Sequence, residues 1–252
     1  MKKLEQVLAS LADAEHLRPN TTVGLSLASP APIWQISPIF MKQILERRLV
    51  SVAVVDRVAD AVPLAQALLA GGLEVIEITF RTAEAAQSIA SIRQALPAML
   101  VGAGTVLTGE QVRQAATAGA QFAVAPGLNQ TVVRAAQQCG LPFFPGVMTP
   151  SDVEQALGLG CTLAKFFPAE AAGGVSMLKA LAGPYAYTGL RFIPTGGINL
   201  GNLPSYLALP IVAAVGGSWM VERKLVAEKN WAAITALTAE AVKVANTHRL
   251  RI

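Results

Sequence analysis

From residue 50 onward one pattern recurs eight times: a short and almost wholly apolar run, a polar or glycine-bearing turn, then a longer amphipathic stretch rich in alanine and leucine. The short runs read as strands at 52–55, 74–79, 99–103, 121–125, 142–144, 163–167, 191–194 and 212–216. The longer stretches read as helices at 61–70, 83–95, 109–118, 130–138, 151–158, 174–182, 201–207 and 231–245. Strands that are apolar on consecutive residues must be covered on both faces, which is the condition of a parallel sheet flanked by helices. Eight such units favour closure into a ring over an open sheet. The 252 residues match the length of about 250 that such a ring takes. The expected fold is therefore α/β, a single-domain (β/α)8 TIM barrel.

The first 48 residues break the pattern. Leu4, Val7, Leu8, Leu11 and Leu17 have helical spacing and predict a short amphipathic helix over 3–16. Pro19 to Phe40 is rich in Pro, Ser and Thr without a period, as expected of an extended connector. Met41 to Glu46 then begins a helix that leads into the first strand. The division expected is an N-terminal extension at 1–40, of unassigned role, and a barrel at 41–252.

Barrels of this kind keep their chemistry at the carboxyl ends of the strands. There the sixth unit reads Leu163-Ala164-Lys165-Phe166-Phe167-Pro168-Ala169-Glu170. Alternation along a strand puts Leu163, Lys165 and Phe167 on one side and Ala164 and Phe166 on the other. An ammonium is costly to bury, and a neutral ε-amine is what attacks a carbonyl to form a Schiff base. The plainer reading is a lysine whose stem packs on Phe167 while its head reaches solvent. In the second unit Glu77 shares parity with Val75, Thr79 and Arg81, while Ile76 and Ile78 take the opposite side. An inward carboxylate suits proton exchange, or else a structural ion pair with a cation.

Other strand ends add binding groups. The third unit ends Val101-Gly102-Ala103-Gly104-Thr105-Val106, where glycines admit a ligand and Thr105 offers a hydroxyl. Ala125-Pro126-Gly127 and Phe144-Pro145-Gly146 read as strand-stopping turns on the same rim. Paired glycines follow the seventh strand, in Pro194-Thr195-Gly196-Gly197, and the eighth, in Val215-Gly216-Gly217-Ser218-Trp219. Backbone N–H groups in such turns make an anion nest, the usual phosphate site of these barrels. A lysine and a carboxylate on one rim with a phosphate nest point to carbonyl chemistry through an imine, such as aldol cleavage.

Composition narrows the alternatives. The 20 basic and 16 acidic residues are scattered, without an aromatic and basic face, so no nucleic-acid partner is expected. A diffuse basic balance suits a small anionic substrate. His16 and His248 lie near the two ends, which excludes a histidine base or a His-rich metal site; no metal and no cofactor is expected. Cys139 and Cys161 form no CxxC and read as buried apolar residues in a reducing cytosol. The longest uncharged run, Thr21 to Phe40, carries three prolines and does not read as a membrane span. Met1-Lys2-Lys3 is followed by Glu5, Asp13 and Glu15, not by the apolar core of a secretory signal.

From about Met41 to Ala245 the chain resembles the 2-keto-3-deoxy-6-phosphogluconate (KDPG) aldolases, also called 4-hydroxy-2-oxoglutarate aldolases. The resemblance rests on Glu77-Ile78-Thr79-Phe80-Arg81-Thr82, Val101 to Leu107, Pro145-Gly146-Val147-Met148-Thr149-Pro150, Lys165 to Glu170, Pro194 to Gly197 and Gly216 to Trp219, in the same order. It implies a cytoplasmic homotrimer of (β/α)8 barrels that splits a phosphorylated 2-keto acid into pyruvate and glyceraldehyde 3-phosphate, and that also acts on 4-hydroxy-2-oxoglutarate. By the same resemblance Lys165 forms the Schiff base and Glu77 is the general acid and base. Arg81 and Thr105 hold the pyruvate carboxylate in a pocket lined by Pro126 and Phe167. Thr195 meets a substrate hydroxyl, and Gly196, Gly197, Gly217 and Ser218 cradle the phosphate. Some members carry an arginine at the end of the first strand, where this chain has Val55-Asp56, so carboxylate recognition falls to Arg81. Residues 1–40 match nothing in the family. Three rivals stand beside this reading: a 6-phosphogalactonate aldolase, a phosphosugar isomerase or synthase barrel that would not require Lys165, and a non-catalytic barrel that would require neither Lys165 nor Glu77.

Overall fold

The computed structural model describes residues 38–248; the helix expected at 3–16 and most of the connector lie outside them. Helix α1 (Pro38–Arg47) begins three residues before Met41, inside the stretch read as connector. A proline is tolerated in a first helical turn, so Pro38 does not delay the start. Strands and helices then alternate: β1 (Leu49–Ala53), α2 (Val58–Ala70), β2 (Val75–Thr79), α3 (Ala85–Ala95), β3 (Leu100–Gly104), α4 (Gly109–Thr117), β4 (Phe122–Val124), α5 (Gln130–Gln138) and β5 (Phe143–Phe144). There follow β6 (Gly146–Val147), α6 (Pro150–Gly158), β7 (Leu163–Phe166), α7 (Gly174–Tyr185), β8 (Arg191–Pro194), α8 (Leu203–Leu207), β9 (Val215–Gly217), α9 (Arg223–Ala227) and α10 (Trp231–Thr247).

Every strand pairing is parallel. One sheet has the order β5-β4-β3-β2-β1-β9 and a second the order β6-β7-β8. Single bridges, Phe192 to Val212 and Thr195 to Gly216, link the second sheet to the β9 side of the first. The curled parallel sheet with alternating helices is that of an α/β barrel. Residues of β1, β2 and β3 are buried on both faces, as their unbroken apolar character requires.

Three strands depart from the sequence reading by more than one residue. The first strand occupies Leu49–Ala53 instead of 52–55, because Leu49 to Val55 is apolar throughout except Ser51 and carries no punctuation. Pro145 interrupts a strand instead of ending it: the chain resumes pairing at Gly146, whose N–H reaches the Gly127 carbonyl at 3.1 Å. The last strand is Val215–Gly217, so Gly216 and Gly217 lie within a strand and not in a turn after it. Val212, expected inside that strand, makes only its isolated bridge.

Four helices start where side chains satisfy free N–H groups. Thr149 and Asp152 form a reciprocal capping box at the start of α6, with Pro150 in the first turn, and Thr108, Asn129 and Asn230 cap α4, α5 and α10. Inside the sheet, the Phe122 ring takes space that Gly102 leaves, since a Cβ at Gly102 would overlap it. Cys161 is buried ahead of β7, but Cys139, expected to be buried, is exposed as the residue that ends α5.

Candidate active site

The alternation expected in β7 holds. Ala164 and Phe166 are fully buried, and the Phe166 ring meets Phe192 edge-on with centroids 6.3 Å apart. Lys165 and Phe167 face a cavity on the other side. The Lys165 N–H donates to the Pro145 carbonyl at 2.9 Å, which ties the strand down at the lysine. Its Nζ lies 5.6 Å from the centre of the Phe167 ring. Lys165 is only 5% exposed, so its head stays within the protein and does not reach bulk solvent.

Glu77 comes from β2, with Ile76 and Ile78 fully buried on the opposite face. Its Oε1 lies 3.3 Å from Lys165 Nζ, joining side chains 88 residues apart. Gly104 makes room for this: any Cβ there would collide with the Glu77 carboxylate. A buried pair of this kind is a poor source of stability, because desolvation offsets most of the attraction.

All eleven residues singled out in the sequence line one cavity of about 290 Å³, and Val52, Thr79 and Ile198 complete its wall. Lys165 and Glu77 lie at its core. Arg81 is oriented from below, its Nε donating to Thr79 Oγ1 at 3.2 Å, while Thr79 donates to the Ala53 carbonyl at 3.1 Å. Thr105 adopts the left-handed region at φ 56°, uncommon for a residue with a branched Cβ and typical of a binding site held by its surroundings. The neighbouring Val106 N–H fixes that turn by donating to Val124 at 3.1 Å.

Opposite them, the Thr195-Gly196-Gly197 turn needs its glycines. Gly197 sits at φ 77°, and a Cβ there would come within 2.7 Å of the Glu170 side chain. Glu170 braces the turn twice: its N–H donates to the Gly196 carbonyl at 3.1 Å, and its carboxylate accepts from the Tyr206 hydroxyl. Burial, and then this bond, raise the Tyr206 hydroxyl above the usual phenol range. Gly216 and Gly217 are small for another reason, close packing: a Cβ on one would strike Thr195 Oγ1 and on the other the Trp219 ring.

The sequence model of the KDPG and KHG aldolases matches residues 41–237. The chain belongs to this family. Among curated relatives, the 2-dehydro-3-deoxy-phosphogluconate aldolase of Treponema pallidum is 50% identical over 201 residues, covering 79% of this chain and 95% of the relative. Among solved structures, the KDPG aldolase of Legionella pneumophila with pyruvate captured as a covalent carbinolamine is 41% identical, with a TM-score of 0.76 over 80% of this chain and 97% of that one. The KDPG aldolase of Zymomonas mobilis with 3-phosphoglycerate is 40% identical, with a TM-score of 0.74 over 80% and 94%.

Against this KDPG and KHG aldolase background, two arrangements were missing from the sequence reading. Asp56, noted only as standing where some members have arginine, binds Arg223 through both carboxylate oxygens at 2.7 and 2.6 Å. The Glu170–Tyr206 brace spans 36 residues. Neither has a local sequence signal. Thr79 did have one, since it shares parity with Glu77 and Arg81.

Proposed function

We propose that the chain is a class I aldolase, a carbon–carbon lyase that cleaves 2-dehydro-3-deoxy-6-phosphogluconate to pyruvate and glyceraldehyde 3-phosphate and also acts on 4-hydroxy-2-oxoglutarate. The observation that carries this reading is the buried Lys165 amine 3.3 Å from the Glu77 carboxylate, facing a cavity that also presents Arg81 and Thr105. Lys165 Nζ adds to the C2 ketone to give a carbinolamine. Glu77 passes a proton to the departing C2 oxygen, and loss of water leaves an iminium ion. Glu77 then takes the C4 hydroxyl proton. The C3–C4 electron pair moves into the imine system, releasing the aldehyde and leaving an enamine. Protonation at C3 and hydrolysis by one water return pyruvate and the free amine. Arg81 offers a planar fork suited to the keto-acid carboxylate, with the Thr105 hydroxyl beside it. Pro126 and Phe167 line that pocket, and Thr195 meets a substrate hydroxyl. Gly196, Gly197, Gly217 and Ser218 cradle the phosphate through neutral donors.

We further infer a closed eight-stranded ring, counting β5 and β6 as one strand interrupted at Pro145; the bridges from β8 towards β9 support this. The catalytic unit spans 41–252, with 1–40 as an extension of separate role, a division supported by the family match beginning at residue 41. A homotrimer in a reducing cytoplasm is the assembly and setting that the resemblance implies; no described helix is long and apolar enough to cross a membrane. The test is reduction with borohydride in the presence of pyruvate. A mass increment on the peptide holding Leu163 to Phe167 is expected. Modification elsewhere, or none in a preparation that cleaves substrate, refutes the assignment.

A further inference from the structure

A second cavity, also of about 290 Å³, adjoins the first and shares Val52, Arg81 and Ser218 with it. Its remaining wall is Val54, Val221, Glu222 and Arg223. Beyond those shared residues, nothing in the reaction above uses it. The charges around it give it a task. Among the described residues lining the first cavity the cations are Lys165 and Arg81, and both serve the keto-acid end. The glycine turns and the Ser218 hydroxyl offer a phosphate only neutral donors. A phosphate monoester at neutral pH carries a charge of about −1.5 to −2. The further cation on the wall of the adjoining cavity is Arg223, which lines it together with Ser218.

Arg223 is also held in place. Its Nε and Nη2 donate to the two Asp56 oxygens at 2.7 and 2.6 Å, tying the segment after β9 to the segment after β1. That bidentate grip fixes the guanidinium plane and leaves Nη1 outside the pair. Glu222 is the opposing charge on the same wall, and Asp56 offsets part of the Arg223 charge. The gain from Arg223 is therefore that of one exposed, oriented cation, and it weakens with salt.

We propose that Arg223, pinned by Asp56, is a specificity-determining residue that supplies the positive charge for the distal dianionic phosphate of the substrate. The proposal rests on the aldolase reading of the same site. Arg223→Gln should raise KM for the phosphorylated substrate roughly tenfold at low salt, the effect of losing one hydrogen bond to a charged group. KM for unphosphorylated 4-hydroxy-2-oxoglutarate should change less than twofold, and Arg223→Lys should restore most of the loss. The phosphate loses its second charge near pH 6. In the wild type kcat/KM for phosphorylated substrate should therefore fall as pH drops through that point, and this step should flatten in Arg223→Gln. Asp56→Asn separates charge from architecture: it removes the opposing charge but keeps the cation and one acceptor oxygen to orient it, and should change KM less than threefold. Equal losses in Arg223→Gln and Asp56→Asn, or equal losses on both substrates, overturn the proposal and make the pair a structural tie. Failure of the aldolase reading is distinct, since it appears as absence of pyruvate trapping on Lys165 in the wild type.

Discussion

Among the described residues two basic side chains are buried, at opposite ends of the strands. Lys165, in β7 at the carboxyl-end mouth, faces a cavity and has Glu77 at 3.3 Å. Arg48, immediately before β1 at the other end, is fully buried, and its Nη2 donates to the Leu207 carbonyl at 2.7 Å, with Nε and Nη1 unpartnered. Burial, and then the nearby Arg191, lower the Arg48 guanidinium to about 10. Cost of burial alone therefore does not mark a reactive residue. Lys165 differs in having a carboxylate neighbour and an open cavity in front of it. Arg48 has neither. In barrels of this architecture the carboxyl end carries chemistry and the amino end carries stability.

Breaking the mouth should have the largest effect. Lys165→Met is expected to abolish pyruvate trapping and lower kcat by more than about 10⁴, beyond the range a proton-transfer group supplies. Retained turnover in this variant would end the imine mechanism. Glu77→Gln keeps shape and burial but cannot exchange a proton, and should lower kcat by roughly 10²–10⁴. Pre-steady-state trapping across pH tells the two roles of Glu77 apart. Slowed imine formation at every pH fits an acid and base; fast turnover with a displaced pH profile fits a mere partner of Lys165.

A milder break is Gly197→Val, which forces a side chain against Glu170 at a left-handed turn. KM for phosphorylated substrate should rise roughly 10- to 100-fold, the value of hydrogen bonds to a charged ligand. KM for 4-hydroxy-2-oxoglutarate should rise far less. Equal losses on both substrates would make the turn structural.

At the opposite end the comparison predicts indifference. Arg48→Met should leave kcat/KM within about twofold and leave stability unchanged or higher, since apolar replacement of a buried charge is often neutral or gains about 1–4 kcal/mol. A denaturation midpoint well below wild type would instead show that the bond to Leu207 anchors α8. The smallest effect concerns Cys161, ahead of β7, whose thiol burial pushes up to about 11. As pH rises, the unfolded thiol ionises first, near its ordinary value, while the folded thiol stays protonated. Its contribution to stability is therefore complete below the ordinary thiol range and lost as pH climbs towards 11. Cys161→Ala should flatten that alkaline decline in denaturation midpoints. A thiol reagent at neutral pH should label the exposed Cys139 and spare Cys161 until the protein unfolds.

What repeats locally is legible in the letters alone. Eight apolar runs with amphipathic partners fix parallel strands covered by helices, and a two-residue period fixes the side to which Lys165, Glu77, Thr79 and Arg81 point. Pairs of glycines marked two segments of the cavity wall, because a missing side chain is visible in the letters. Tertiary structure alone decided what depends on neighbours distant in sequence. Leu49 to Val55 is apolar enough to pair anywhere along its length, and only registry with β2 and β9 set the strand at Leu49–Ala53. Gly197 and Gly217 look alike as text, yet one turns left-handed against Glu170 while the other lies in a strand against Trp219. Glu77 meets Lys165 across 88 residues, Asp56 meets Arg223 across 167, and Tyr206 meets Glu170 across 36. Hydrogen bonds and ion pairs act over a few ångströms, so such meetings exist only once the sheet has curled and brought its strand ends together.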